Sequence, residues 1–192
     1  MSDELSRPLN DFKDDNEDTA ENEMNLVKKY EEAEAKNRLI EFLQGKQIEY
    51  KIENEGTQSE YYWIPFEIAL SEKESKFFQI VMKFNGKWLE LSSKIVDGED
   101  IKVKKDGPDQ CKLFRRLLWA VHELPEINYE VDAQDSIYVS VDMNWQVTDY
   151  SNFYSDLFAI PNGIKHFIQN VAPEFEIEVK GVPELKNLES RD

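Results

Sequence analysis

What this chain of 192 residues lacks limits its chemistry before any motif is sought. It has a single cysteine, Cys111, so no internal disulfide can form, and with two histidines, His122 and His166, it cannot build a Cys/His zinc site of its own. Neither a metal nor a cofactor is expected. Basic residues are scarce beside acidic ones, 23 against 40, for a formal net charge of -17. Nucleic acid and anionic membranes bind basic surface that displaces their counterions, so neither is an expected partner. No apolar run nears the ~20 residues that cross a bilayer, and the acidic first thirty residues hold nothing like a signal peptide. The expected location is the cytoplasm. Gly-rich phosphate loops, nucleophile elbows and His-Glu-x-x-His patterns are missing as well.

What is present is core-forming material: 40% hydrophobic and 12% aromatic residues, enough for one folded domain under a polar surface. Residues 1–23 carry nine acids against Arg7 and Lys13, with Leu5, Leu9 and Phe12 as their only large apolar side chains. Like charges at that density, with so little to bury, predict a disordered acidic arm. Pro173 to Asp192 has six acids, three bases and two prolines, and reads as a flexible acidic tail. Residues 24–172 are left for a single domain.

Within that span, Met24 to Gln44 has no Gly or Pro and places Leu26, Tyr30, Ala33, Ile40 and Leu43 on one helical stripe, with Gly45 suited to the C-cap. Four extended stretches follow: Lys46 to Asn54, Glu60 to Leu70, Lys76 to Phe84 and Lys87 to Ser93. Asn85-Gly86 predicts a two-residue type I′ hairpin with Met82 opposite Leu89 and Ile80 opposite Leu91. Pro108 and Pro125 bracket a second helix over 108–123, whose predicted stripe is Phe114, Leu117, Leu118 and Val121, with Leu113 and Trp119 off it. Ile127 to Asp132 and Ser136 to Met143 alternate as strands, and a last helical region over 151–171 is predicted to break near Pro161. Strands grouped between helices, rather than alternating with them, predict an α+β fold: an antiparallel β-sheet with helices on one face, in the order α-β-β-β(β)-α-β-β-α.

That order resembles the type III secretion chaperone-like fold, including the bacterial sensory transduction regulator (YbjN-like) family. The likeness is carried by the leading helix ending Arg38-Leu39-Ile40-Glu41-Phe42-Leu43, the Phe78-to-Leu91 hairpin, the Leu113-to-Leu124 helix, and Ile137-Tyr138-Val139-Ser140-Val141-Asp142 before a final helix. It covers about residues 36–172, through topology and spacing rather than any invariant motif. The resemblance implies a small non-enzymatic protein, chaperone-like or regulatory, often homodimeric, that holds a partner polypeptide. It supplies no catalytic residue set.

The residues themselves offer little chemistry. Cys111 and His122 lie eleven apart on the second helix, roughly 16 Å at 1.5 Å per residue, too far for a nucleophile and its base. Cys111 is expected to be a small buried residue. The calcium-loop opening Asp14-Asp15-Asn16-Glu17-Asp18 lacks the required Gly and the bidentate Glu, and Asp97-Gly98-Glu99-Asp100 reads as a solvated acidic turn. A hydrolase using unlocated carboxylates or a metal, and a structural subunit of a larger assembly, are the alternatives to a protein-binding module.

Two stretches could meet a partner. Lys102, Lys104, Lys105, Lys112, Arg115 and Arg116 lie among only Asp106 and Asp109, a basic island onto which the acidic arm could fold in autoinhibition. Trp145, Tyr150, Phe153, Tyr154 and Phe158 crowd five aromatics between the last strand and the last helix. Trp88 and Trp119 point off the apolar faces of their elements. The expected partner-binding residues are thus Trp88, Leu113, Arg115, Arg116, Trp119, Trp145, Tyr150 and Tyr154. A homodimer through Leu113 and Trp119 would give a folded monomer on Trp119→Glu.

Overall fold

The computed structural model describes residues 31–102, 110–146 and 148–182; the acidic arm and part of the basic island lie outside the described residues. A helix over residues 31–45 (α1) leads into strands β1 (Lys51–Glu53), β2 (Tyr61–Ala69), β3 (Ser75–Asn85) and β4 (Trp88–Val96). Helices α2 (Gly98–Lys102) and α3 (Gln110–Glu123), strands β5 (Asn128–Val131) and β6 (Ile137–Asn144), and helix α4 (Tyr150–His166) complete the order. The strands form one six-stranded sheet, β1-β2-β3-β4-β6-β5, antiparallel at every pairing. This is the α+β architecture expected from the order of elements.

Strict alternation decides what each strand buries. Tyr62, Ile64 and Ile68 of β2, Phe78, Ile80 and Met82 of β3, Leu89 and Leu91 of β4, and Ile137, Val139, Val141 and Met143 of β6 are all buried on one side. Leu39 and Leu43 of α1 and Phe153, Leu157, Ile160 and Ile164 of α4 join the same core. α4 lies so close to the sheet that a Cβ on Gly163 would stand 2.6 Å from Ile127 Cδ1 and 3.0 Å from Val139 Cγ1. α3 packs beside β5.

Several expectations require correction. The hairpin pairs Phe84 with Leu89 and Met82 with Leu91, two residues out of the predicted register. Its turn is Gly86-Lys87: Gly86 has φ +59 and Lys87 is not among the positive-φ residues, which is the II′ pattern with Gly first, not I′. A slip of two preserves the faces, so the core is unaffected. α1 ends through a positive φ at Gln47 rather than at Gly45. α3 is rotated from its predicted seating: Leu113, Leu117 and Ala120 are buried, Leu118 is 72% exposed, and Cys111 is exposed near the helix start. Leu113 cannot therefore serve an interface.

α4 runs through Pro161 without a break and passes into a π-helical turn, Phe167–Val171, and a 3-10 turn, Ala172–Phe175. Proline's fixed φ suits a helix, and buried Leu157, Ile160 and Ile164 hold both sides of it against the core. Beyond residue 172, where the sequence suggests a loose tail, Val179 is buried and Val182 N–H donates to Phe77 O at 2.7 Å. The chain there pairs with the stretch of β3 that has no partner on β4. Asp97 and Asp100 are engaged by Lys94 and Lys180 in a loop and short helix rather than a bare turn.

Candidate functional site

A groove of ≈ 650 Å³ opens between the first turns of α1, the β3–β4 hairpin and the β6–α4 connection. Its apolar floor comes from Leu39, Phe42, Phe84, Leu89, Met143 and Phe153. Trp145 forms a wall: its indole Nε1 donates to Gly86 O at 2.8 Å, and its ring meets Phe84 edge-on at 6.2 Å. Thr148 Oγ1 donates to Asn144 O at 2.7 Å, and Asp149 caps α4 by accepting from Asn152 N–H at 2.8 Å. The bend that aims the start of α4 at α1 is thereby fixed.

Phe42 is the hub. Its ring stacks on Tyr150 at 5.5 Å and meets Phe153 and Tyr154 edge-on at 5.1 and 6.1 Å. Tyr154 in turn lies 4.6 Å from Phe158. Tyr150, Tyr154 and Phe158 recur every fourth residue, so they share one side of α4, where they are 50%, 42% and 46% exposed. An exposed aromatic row thus continues the groove along the helix. Large apolar surface left in contact with water at one place marks an interaction site more than an accident of packing.

The expected site residues fall in three places. Trp145, Tyr150 and Tyr154 belong to the groove and its row. Trp119, 65% exposed, and Arg115 lie with Leu118 on the outward side of α3, while Arg116 is held by Glu174 at 2.9 Å and Glu123 at 3.5 Å and cannot also serve a partner without breaking them. Trp88, 42% exposed, stands on the opposite side of the sheet from Leu89, with Lys87 Nζ 5.4 Å from its ring. Phe42 and Phe84, the centre of the groove, were missed; Ala35, Leu39 and Phe42 at i, i+4, i+7 were the signal available.

Two polar clusters invite a chemical reading. Glu123, His166 and Tyr129 form a chain, with His166 Nε2 2.9 Å from Glu123 and Nδ1 3.3 Å from the Tyr129 hydroxyl. That hydroxyl donates to Gly163 O at 2.8 Å. Burial raises the phenol above its ordinary range, with Arg116 opposing and Glu123 adding, so it stays protonated and serves as a tie between β5 and α4. Across the outer face of the sheet, Glu90 pairs with Asp142 while Ser140 Oγ donates to Glu130. Partial burial, then Glu130 and Glu90, push the Asp142 carboxyl upward. These carboxylates lie outside the groove, and among the described residues no group of three His, Cys, Asp or Glu side chains is placed to hold a metal.

No protein-family model and no curated relative matches the sequence. The fold does have solved company. A crystal structure of an uncharacterized protein from Methanothermobacter thermautotrophicus is similar over 73% of this chain and 99% of its own, with a TM-score of 0.51 at 7% identity. That likeness is one of fold. The ExsC-ExsE complex overlaps 56% of this chain and 76% of its own at a TM-score of 0.37 and 10% identity. The HopA1-SchA chaperone-effector complex overlaps 65% and 85% at 0.42 and 11%. Scores at that level carry no functional argument, and membership of the YbjN-like family rests on none of these findings. No helix among the described residues is long and apolar enough to cross a membrane.

Proposed function

We propose that this chain is a non-enzymatic protein-binding module, chaperone-like or regulatory, that holds an amphipathic polypeptide segment in the α1/α4 groove and along the row of Tyr150, Tyr154 and Phe158. The observation that carries the reading is that row, continuous through Phe42 with the apolar floor of a groove of ≈ 650 Å³. Exposed rings on a rigid helix offer large contact area at small entropic cost, which is why Tyr and Trp anchor interfaces.

The sheet rims favour the helix face over strand addition. β1 covers only Tyr61–Trp63 of β2, and the rim left beside it contains Pro65, which has no N–H to offer. At the other end β5 is four residues long. Short, proline-bearing edges are how sheets avoid added strands. A hydrolase would draw on Glu90, Glu130 and Asp142, outside the concave site. The test is selection of displayed peptides on the full chain with counter-selection on a Phe42→Ala/Tyr154→Ser variant. Recovery of peptides sharing spaced apolar anchors supports docking. Recovery of peptides indifferent to the variant contradicts it.

A second surface, Leu118 and Trp119 on α3, supports self-association, since the two adjoin and are 72% and 65% exposed. With Leu113 buried, that homodimer would rest on them alone. Sedimentation of wild type against Trp119→Glu reads the outcome: a dimer converted to a monomer upholds it, and a monomeric wild type removes it.

A further inference from the structure

Resting on the docking reading above, we infer that the groove takes a cationic amphipathic helix, with its apolar stripe on the aromatic row and its Lys or Arg side chains beside the start of α1. Two independent observations lead there.

The first concerns main-chain hydrogen bonding. The groove is lined by side chains of α1, the β3–β4 hairpin, the β6–α4 connection and the start of α4; in the connection the Gln146 and Thr148 N–H groups are already given to Asn144, at 3.1 and 3.0 Å, and the interiors of α1 and α4 spend their backbone groups within themselves. An extended segment laid in such a groove finds no ladder for its N–H and C=O groups, whereas a helix brings its own hydrogen bonds. Apolar anchors at i, i+4 and i+7 rise along such a helix at the same 1.5 Å per residue as Tyr150, Tyr154 and Phe158 do along α4.

The second concerns charge. The groove's charged lining is Glu31, Glu34, Asp149 and Arg38, and Arg38 is bound to Glu34. Nearby Lys36 is likewise occupied, 3.0 Å from each of Glu32 and Glu60. Lys46 stands over the Tyr154 ring at 5.5 Å, so the acidic excess lies toward the α1 start rather than along the row. With Glu34 paired to Arg38, the acidic excess of the lining is Glu31 and Asp149, and a basic flank docked beside them is attracted while an acidic one is repelled. The chain's own residues 1–23, nine acids against two bases, carry the same sign as this rim. A second copy docking there would set acidic rim against acidic rim.

The test is fluorescence anisotropy of labelled synthetic helices of about five turns with the full chain. The set comprises a Leu/Lys amphipath, its Lys→Gln and Lys→Glu counterparts, a scrambled Leu/Lys peptide of the same charge, and residues 1–23 of this chain. The Leu/Lys helix is expected to bind about tenfold tighter than the Gln form. Glu31→Gln, which leaves the Arg38–Glu34 pair intact, should shrink that gap to about threefold, and Tyr154→Ser should weaken both peptides. If the Gln form binds as well as the Lys form in a Tyr154-dependent way, the charge inference is wrong while docking survives. If neither depends on Tyr154, both fall. Equal binding of the scrambled peptide, or tighter binding of residues 1–23, also overturns the cationic helix.

Discussion

The two ends of α4 are built to opposite standards. At its C-terminal end Gly163 lets the helix touch Ile127 and Val139, Tyr129 ties it to β5, and His166, Glu123, Arg116 and Glu174 link it to α3 and the 3-10 turn. Bulky apolar side chains there, such as Ile164 and Phe167, are sealed. At its N-terminal end Tyr150, Tyr154 and Phe158 stand half in water around Phe42. Both ends seat core side chains, Phe153 and Leu157 at the second, but the ring row beside them leaves about half of its surface in water. An element that is sealed at one end and apolar but open at the other is anchored by the first and available through the second.

The contrast can be broken by mutation. Gly163→Val should have the largest effect on stability, about 3 kcal/mol, because its side chain has no room against Ile127 and Val139; urea denaturation measures it. Tyr129→Phe should cost about 1 kcal/mol by removing a donor from Gly163 O and a partner from His166, and the same melts detect it. At the open end, Tyr154→Ser/Phe158→Ser should cost about 1 kcal/mol, well below Gly163→Val, because both rings are already half in water, yet weaken selected peptides about tenfold. A stability loss there equal to that of Gly163→Val would erase the distinction.

The smallest effect concerns pH near the groove. Burial pushes the Glu60 carboxyl upward, but the Gly56 N–H at 2.7 Å and the Lys36 ammonium outweigh it, leaving the group below its ordinary value of 4.5. A carboxyl lowered on folding stabilises the protein above its unfolded value, and that contribution disappears as pH falls through the folded one. Glu60→Gln should therefore be about 0.5 kcal/mol less stable at neutral pH and converge with wild type under acid. Parallel pH profiles would contradict this.

Much of the architecture was legible because large apolar residues recur at alternate positions along β2, β3, β4 and β6, and turn residues separate the strands. The hairpin register was not, since Asn-Gly specifies where a turn falls only within a residue and II′ competes with I′. The seating of α3 was misread because Leu113, Leu117 and Leu118 span more than one face, and which of them is buried is decided by tertiary packing, which seals Leu113, Leu117 and Ala120. Pro161 looked like a break because sequence cannot weigh one lost hydrogen bond against the burial of Leu157, Ile160 and Ile164. Of the candidate site, the density of rings from Trp145 to Phe158 was visible, but Phe42, far earlier in the chain, becomes their hub only through tertiary packing.

The most direct test is a nitrogen-15 amide shift map of the full chain titrated with a peptide recovered by selection. Perturbations concentrated in residues 31–42 and 145–158 are the expected result. Perturbations centred instead on Leu118 and Trp119, or on Trp88 across the sheet, would contradict the groove as the docking site.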